Sequence, residues 1–241
     1  MGKLYVVGIG PGDEKHMTAA AREAIDEAEV ICGYTLYIDL IRHMSEGKEL
    51  YATPMTREMD RCRYALEKAG EGKTAALICS GDAGVYGLAA PALTLADGVD
   101  VEVIPGVSAA QSGASVLGAP LTDDHCIISL SDINTPWEMI EKRLELASEA
   151  DLVIVLYNPM SKHRPDTLRK ACEAMLRKKN GDTVCGYVRN IARPGEEKKV
   201  LTLSELKNEK LDMFATVFVG NSRTENRDGR MITPRGYRNR K

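Results

Sequence analysis

The sequence predicts an α/β fold: two α/β domains with mostly parallel or mixed sheets and a cleft between them. Three observations support this prediction. Short apolar segments typical of buried strands recur along the chain, segments with helical spacing separate many of them, and three glycine-rich loops directly follow strand-like segments. With 241 residues, of which 44% are hydrophobic, the chain is long enough for two small domains with sizeable cores.

The predicted strands are short, mainly apolar runs, as expected for strands that are covered on both faces. They comprise residues 4–7, 29–32, 75–79, 101–104, 126–130, 152–156, 184–188 and 215–219. The first, third and fourth of them each lead directly into one of the glycine-rich loops. Such an order of strand, loop and helix is typical of parallel sheets.

Two segments between the strands carry apolar residues at the three- and four-residue spacing of an amphipathic helix. These residues are Met59, Cys62, Leu66 and Ala69 in one segment, and Trp137, Ile140, Leu144 and Ala147 in the other. For the second helix, Thr135 is expected as the N-cap and Pro136 as the first helical residue. A further helix is predicted over residues 107–117, where small residues would allow close packing.

A hinge is predicted at residues 118–121 (GAPL), which divide the chain almost in half. The predicted N-terminal domain, residues 1–117, carries the glycine-rich loops, and the C-terminal domain comprises residues 118–241. The end of the chain, residues 223–241, is rich in Arg, Asn and Gly. From composition alone, this end could be a flexible tail.

Composition argues against several functional classes. A net charge of −3 and an aromatic content of 5% do not favour a protein that binds nucleic acid through its overall charge or by stacking. No apolar stretch approaches the roughly 18 residues of a membrane span, and the start lacks the pattern of a secretory signal. The six cysteines are scattered without a C-x-x-C pair, so we expect reduced core residues and no metal site. These observations predict a cytoplasmic protein with no nucleic-acid or membrane partner.

The three glycine-rich loops are the strongest functional signal. They comprise residues 8–13 (GIGPGD), 80–87 (SGDAGVYG) and 105–110 (PGVSAA). Because ligands of open α/β sheets bind at the carboxyl ends of the strands, these loops predict one binding site lined by backbone. The dinucleotide-binding fingerprint fails in the first loop, where Asp13 stands at the sixth position and Pro11 removes an N–H. Residues 72–74 (GKT) do not form a Walker loop, because Glu67 stands in place of the leading glycine and the segment precedes a strand instead of following one. The alternative is that the glycine-rich loops are tight turns that bind no ligand.

Four segments taken together resemble the tetrapyrrole methylases, S-adenosylmethionine-dependent enzymes of cobalamin and siroheme synthesis. They are residues 8–13, 80–82, 105–109 and 156–159 (LYNP), and they occur in the right order over nearly the whole chain. Further segments resemble the members that methylate C17 of precorrin-3B or cobalt-factor III and contract the macrocycle. These are residues 128–132, 135–138, 156–159, 188–190, 220–222 and 233–237.

The resemblance implies an architecture and two bound molecules. Two α/β domains are expected to form a trough, usually in a homodimer. S-adenosylmethionine is expected between the domains, and the tetrapyrrole in the adjacent open cleft. The match at residues 233–237 also implies that the end of the chain is ordered and close to the substrate.

The resemblance further implies which residues form the site. Those expected to bind S-adenosylmethionine are Pro11, Ser80, Gly81, Asp82, Val85, Ser108, Ala109, Tyr157, Asn158, Ile191 and Ala192. Those expected to contact the tetrapyrrole are Gly10, Gly12, Asp13, Ser131, Asp132, Arg189 and Arg235. The two arginines suit the substrate carboxylates. Asp82 could instead cap a helix that starts near Val85.

The catalytic candidates are Tyr34, Asp124 and His125. Tyr34 stands where related siroheme-branch enzymes have an Asp that is a proposed base, so that role is not carried over, although Tyr34 could still contact the substrate. Asp124 or His125 could move a proton, but a polar loop that leads into a strand would explain them equally well.

The alternative functions are a methylase of the same fold that acts on protein (diphthine synthase) or RNA, a dinucleotide-dependent oxidoreductase, and a noncatalytic tetrapyrrole-binding protein.

Overall fold

The computed structural model describes residues 2–236. The chain forms two compact units, Met1–Ala109 and Ala110–Lys241. This boundary precedes the predicted hinge, because the helix that follows the third glycine-rich loop packs within the second unit. In that helix, the Gly113 backbone lies against the Phe218 ring and Leu117 lies against Gly186.

The first unit contains a five-stranded sheet in which all strands are parallel. Its strands are β1 (Lys3–Gly8), β2 (Val30–Tyr34), β3 (Glu49–Thr53), β4 (Thr74–Cys79) and β5 (Asp100–Ile104), in the spatial order β3-β2-β4-β1-β5. Its helices are α1 (Ala19–Glu27), α2 (Thr35–Leu40), α3 (Glu58–Gly70) and α4 (Ala89–Leu95), with short 3-10 helices at Glu14–His16 and Arg42–Met44.

Helices cover both faces of this sheet. Helices α1 and α2 pack with Val7 and Ile78 on one face, whereas α3 and α4 pack with Val6 and Leu77 on the other. The connection after β1 runs toward β2 and the connection after β4 runs the opposite way toward β5, so right-handed crossovers place them on opposite faces. Adjacent strands whose loops diverge in this way open a crevice at their carboxyl ends.

The second unit contains a mixed sheet. Its elements are α5 (Ala109–Leu117, at the boundary), β6 (Gly118–Ala119), β7 (His125–Ser129), α6 (Trp137–Glu149), β8 (Val153–Tyr157), α7 (Thr167–Leu176), β9 (Val184–Arg189), β10 (Glu197–Thr202), α8 (Leu203–Leu206), β11 (Ala215–Val219), β12 (Glu225–Arg227) and β13 (Arg230–Ile232). The main sheet has the order β10-β9-β11-β8-β7, with β7 and β8 parallel and the other neighbours antiparallel. Helices α6, α7 and α8 cover one face.

The predicted hinge is part of a small sheet. Strand β6 pairs with β13, which also pairs with β12. Thr233 is fully buried, its N–H donates to the Ala119 carbonyl at 3.1 Å, and its hydroxyl lies 2.8 Å from that of Thr224. The segment up to Thr233 is therefore ordered, as the resemblance implied. Tyr237, the last residue of the terminal motif, lies outside the described residues.

The start of α6 differs from the prediction. Pro136 is the N-cap, with φ −54° and ψ 143°, and the helix begins at Trp137 without a side-chain cap bond. The prediction of Thr135 as the cap and Pro136 as the first helical residue was wrong, because the extended ψ of Pro136 excludes it from the helix. The predicted apolar faces of α3 and α6 are otherwise buried, apart from Met59 and the partly buried Trp137.

The cysteines are core residues, as predicted. All six have free thiols, and only Cys126 is not fully buried. Burial raises the pKa of the Cys32 thiol to about 12 and that of Cys79 to about 11, so both stay protonated at neutral pH. Over residues 2–236, no helix is long and apolar enough to cross a membrane.

One acid-sensitive contact lies before β8. The Ser222 N–H and hydroxyl donate to the Asp151 carboxylate at 2.9 and 2.6 Å, and the buried Lys179 ammonium lies 3.6 Å away. Partial burial opposes ionisation, but these partners outweigh it and lower the pKa of Asp151 below 3.8. The contact therefore stabilises the fold above the unfolded-state pKa, and its contribution is lost as pH falls through the lowered folded-state pKa.

We expect Asp151→Asn to be less stable than wild type at neutral pH and to lose less stability between about pH 5 and pH 2. Urea unfolding at several pH values measures the slope of the free energy of unfolding against pH, and Asp97→Asn, at an exposed position, is the control. An unchanged slope in Asp151→Asn would argue against this role.

Candidate functional site

The three glycine-rich loops lie at one edge of the first unit's sheet. Strands β4, β1 and β5 are parallel neighbours, so the loops that follow them leave from the same edge. The first two loops bond directly, because the Gly10 N–H donates to the Gly81 carbonyl at 3.1 Å and the Gly81 N–H donates to the Gly10 carbonyl at 2.7 Å. The sequence-based expectation that these loops share one edge is therefore met.

Glycine is required where the three loops touch. A Cβ atom on Gly106 would lie 2.2 Å from the Gly81 oxygen and 2.5 Å from the Gly8 oxygen, far inside contact distance. Gly10 and Gly81 have φ angles of +78° and +72°, which side-chain-bearing residues rarely adopt. Gly8 and Gly106 thus leave no room for a side chain, whereas at Gly81 the positive φ, and not lack of space, favours glycine. We call Gly8, Gly81 and Gly106 the glycine junction.

Asp82 joins the second loop to the third. One carboxylate oxygen accepts the N–H groups of Gly84 and Val85 at 2.8 and 3.1 Å, and the other accepts the Gly106 N–H at 2.9 Å. Helix α4 begins only at Ala89, so the alternative of a helix cap is wrong. The carboxylate instead closes a turn and fixes the glycine junction through Gly106.

The other predicted residues of this unit surround the same edge. Pro11 is buried and Ser108 is 3% exposed, while Ser80 and Val85 are partly exposed. These four residues belong to the three loops, and Ala109 follows as the first residue of α5. The structure therefore brings together the cofactor candidates of the first unit.

The end of the first loop is held locally. Asp13 caps the 3-10 helix after Gly12 and accepts the His16 N–H at 3.2 Å, and it also bonds the His16 ring. Partial burial opposes ionisation, but the bonds from His16 outweigh it and lower the pKa of Asp13 below 3.8.

Tyr34, at the carboxyl end of β2, lies at the same sheet edge, with its ring edge-on to Tyr37 at 5.1 Å between centroids.

In the second unit, the candidate residues follow the carboxyl ends of β7 and β8. The Tyr157 hydroxyl accepts the Ala110 N–H at 2.9 Å. Asn158 has a φ of +54°, and its amide donates to the Ser129 hydroxyl at 3.0 Å. The same hydroxyl accepts the Ser131 N–H at 3.2 Å. Ser129, which sequence reasoning did not select, thus connects two predicted loops.

The loop after β9 lies at this same edge, since β8 and β9 are both antiparallel to β11. Asn190 and Ala192 have φ angles of +52° and +54°, and the Ala192 N–H donates to the Glu196 carboxylate at 2.7 Å. Ile191 between them is 6% exposed. The backbone is thus left-handed at three residues that are not glycine, just after strands β8 and β9. They are Asn158, Asn190 and Ala192, and this conformation is strained for residues with a side chain.

Asp124 and His125 lie elsewhere. His125 begins β7, whereas Ser129 ends it beside Tyr157, so about 13 Å of strand separates the two ends. Both residues are exposed, and His125 Nδ1 lies 3.1 Å from the Asp123 carbonyl. The structure does not bring these catalytic candidates together with Tyr157 and Asn158, and a polar loop that leads into a strand describes them better.

The predicted substrate arginines differ in availability. Arg189 pairs with Glu197 at 2.9 Å and with Asp212 at 3.8 Å, so its guanidinium is engaged within its own unit. Arg235 is exposed near the end of the described chain. Arg235 is therefore the more exposed of the two, whereas the 37% exposed Arg189 side chain is held in ion pairs.

Asp132 also has a partner that sequence reasoning missed. Arg164 lies 3.7 Å from its carboxylate and donates to the Leu130 carbonyl at 3.1 Å. It thereby ties the Ser131–Asp132 segment to the loop after β8. No motif contains Arg164, so only the folded chain identifies it.

The family assignment comes from comparison with known proteins. Residues 3–207 match the family described as Tetrapyrrole (Corrin/Porphyrin) Methylases. The chain belongs to this family. Within residues 2–236 of this tetrapyrrole methylase, no three His, Cys, Asp or Glu side chains are grouped to hold a metal ion.

The tetrapyrrole methylase has similar relatives along its whole length. It is 46% identical over 238 residues to the probable cobalt-factor III C(17)-methyltransferase of Salmonella typhimurium, covering 97% of this chain and 99% of that protein. It is also 46% identical over 244 residues to the cobalt-factor III methyltransferase of Priestia megaterium, covering 98% of this chain but only 45% of that longer protein. The chain thus spans about half the length of the Priestia relative.

A solved structure has the same fold. The crystal structure of the methyltransferase CobJ matches with a TM-score of 0.90 and 33% sequence identity, covering 97% of this tetrapyrrole methylase and 100% of that chain. The α/β fold predicted from strand and helix patterns is confirmed by this likeness. A methylase family also leaves no basis for the alternative of a dinucleotide-dependent oxidoreductase.

Proposed function

We propose that the chain is an S-adenosylmethionine-dependent methyltransferase that acts at C17 of cobalt-factor III, or of its metal-free counterpart precorrin-3B, with contraction of the macrocycle. The observation that carries this proposal is the 46% identity to the probable cobalt-factor III C(17)-methyltransferase of Salmonella typhimurium over 97% of the chain. The name of the Priestia relative also contains cobalt-factor III, which favours the cobalt-bearing substrate.

The glycine junction suits a cofactor held through backbone groups. At Gly8 and Gly106 there is no space for a side chain, so the backbone itself lines the carboxyl edge of this parallel sheet. We propose that S-adenosylmethionine contacts the residues that the resemblance implied, namely Pro11, Ser80, Gly81, Asp82, Val85, Ser108, Ala109, Tyr157, Asn158, Ile191 and Ala192. The contacts of Asp82 favour a positioning role for its carboxylate in this set.

The proposed chemistry asks mainly for alignment. S-adenosylmethionine, when bound, supplies a methyl group that is already activated on a sulfonium. The loops therefore have to orient the donor toward C17 and keep water out, which is how a positioned site accelerates such a displacement. Tyr34, at the sheet edge of the glycine junction, is proposed to contact the tetrapyrrole.

Turnover with two substrates tests the proposal. The chain is incubated with S-adenosylmethionine and either cobalt-factor III or, without oxygen, precorrin-3B, and product mass is read for one added methyl group. Methylation of only cobalt-factor III supports the proposal as stated, and methylation of only precorrin-3B supports the reaction on the metal-free substrate. No methylation of either, despite binding of S-adenosylmethionine, would favour a methylase that acts on protein or RNA.

We expect Arg235→Ala to weaken tetrapyrrole binding by about tenfold, because an exposed guanidinium near the substrate would lose a charge-assisted bond to a carboxylate. Affinity for S-adenosylmethionine should stay within about twofold. Titrations with cobalt-factor III and with S-adenosylmethionine measure both. Arg227→Ala, on exposed β12, is the control, and a larger loss of cofactor than of tetrapyrrole affinity would remove Arg235 from the substrate site.

A further inference from the structure

Arg61 is a buried cation on the inner side of α3. It is 4% exposed, although its helix neighbours Cys62 and Ala65 form an apolar core. Burial of a charge is unfavourable unless its partners compensate, and apolar replacements of buried charges often stabilise proteins. The partners of Arg61 therefore indicate what this charge does.

In the described part of the chain, the hydrogen bonds of the Arg61 side chain all reach residues 53–58. Its Nη1 donates to the Thr53 hydroxyl at 2.6 Å and to the Pro54 carbonyl at 3.0 Å, and its Nη2 donates to the Glu58 carboxylate at 3.3 Å. Its Nε is buried and has no hydrogen-bond partner within residues 2–236. One N–H group of the guanidinium therefore lacks a hydrogen bond. The bonds that the guanidinium does make stabilise the β3–α3 loop, residues 54–57, and the residues on either side of it.

This loop is strained. Thr56 has a φ of +72°, a conformation that β-branched residues rarely adopt, and its N–H donates to the Glu58 carboxylate at 3.2 Å. Glu58 in turn accepts from Arg61. The buried Arg61 charge and the strained backbone of Thr56 are therefore linked through the Glu58 carboxylate. Backbone strain of this kind persists only where the surrounding residues hold the conformation in place.

The β3–α3 loop lies at the functional edge of its sheet. Thr53 is the register partner of Tyr34, and its carbonyl accepts the Thr35 hydroxyl at 3.2 Å. Because all five strands are parallel, the loop leaves from the same edge as the glycine junction. At its end, Arg57 is 60% exposed, and Asp60 is its ion-pair partner.

We infer that Arg61 is a positioning residue that holds the β3–α3 loop so that the exposed Arg57 guanidinium binds a carboxylate of the tetrapyrrole. This inference rests on the proposed function. A guanidinium suits a carboxylate through two parallel N–H bonds, and a loop with one enforced shape presents it at a defined position. The Asp60 pair would be exchanged for the substrate carboxylate at the exposed end.

A double-mutant cycle tests the inference. We expect Arg57→Gln and Arg61→Met each to raise the KM for cobalt-factor III about tenfold, while the dissociation constant of S-adenosylmethionine stays within about twofold. The double variant should be scarcely worse than either single variant, because both changes remove the same contact. Arg143→Met, at an exposed position of α6, is the control and should match wild type.

The outcomes separate the inference from simpler explanations. Three results would each overturn it. The first is an unchanged KM for cobalt-factor III in folded Arg61→Met, and the second is an equal loss of affinity for cobalt-factor III and S-adenosylmethionine. The third is a KM of the double variant that is raised by the product of the two single effects. If Arg61→Met does not fold, Thr53→Val removes the hydroxyl that accepts from Arg61 and donates to the Pro54 carbonyl at 3.4 Å, and it should raise KM in the same direction by about threefold. A wild-type chain that neither binds nor methylates cobalt-factor III overturns the proposed function as well, whereas normal turnover with unaffected variants overturns this inference alone.

Discussion

Gly106→Ala is expected to raise the dissociation constant of S-adenosylmethionine by about 100-fold and to abolish methylation. The added Cβ would lie 2.2 Å from the Gly81 oxygen and 2.5 Å from the Gly8 oxygen, and both obstacles are backbone atoms that cannot rotate away. The third loop would have to move off the other two, which separates the groups that we assign to the cofactor. Overpacking of this kind typically costs about 1–3 kcal/mol of stability.

The matched control is Gly70→Ala, at the end of α3. No atom of residues 2–236 lies within 4 Å of a Cβ atom there, so the variant should bind S-adenosylmethionine like wild type and be as stable or slightly more stable. Calorimetric titration with S-adenosylmethionine and thermal unfolding measure both variants. Wild-type cofactor affinity in a folded Gly106→Ala protein would show that the glycine junction does not bind the cofactor.

Asp82→Ala is expected to weaken S-adenosylmethionine binding by about 10- to 100-fold while the protein stays folded. The substitution leaves three N–H groups, those of Gly84, Val85 and Gly106, without their acceptor, and each unsatisfied group costs about 1–3 kcal/mol if it stays buried. Because the lost bonds lie within and between loops, the loss should loosen the glycine junction rather than the core.

Asp82→Asn separates positioning from charge. An amide oxygen can still accept from Gly84 and Val85, but the amide nitrogen then faces the Gly106 N–H, so two donors oppose each other. We expect an affinity between those of wild type and Asp82→Ala, with the exposed Asp97→Ala as the control. Wild-type affinity in Asp82→Asn would show that the bond to Gly106 does not matter for binding.

Sequence patterns predicted the interior strands because burial on both faces demands continuous apolar runs. Strands β1, β4, β8 and β11 were all identified in this way. Strands β3 and β10 were missed, and both are edge strands with polar residues that face solvent. An edge strand owes its existence to hydrogen bonds with one neighbour, and these leave little trace in composition.

For a related reason, composition alone did not reveal the strand pairing of residues 118–119 or the order of the chain up to Thr233. Gly118 and Ala119 form β6 only because β13, more than a hundred residues later, pairs with them. The burial of Met231 and Thr233 likewise depends on that pairing. Long-range pairing cannot be read from local composition, although the resemblance at residues 233–237 had already implied order at this end.

The sequence by itself determined the fold class, the three loops and their common sheet edge, because parallel strands followed by small residues leave few other arrangements. Only the tertiary structure decided what individual side chains do there. It placed the Asp82 carboxylate on Gly106, enclosed Arg61 beneath the β3–α3 loop, and put His125 at the opposite end of β7 from Ser129. Those roles depend on which atoms lie within about 3 Å in the folded chain, a distance that sequence spacing does not encode.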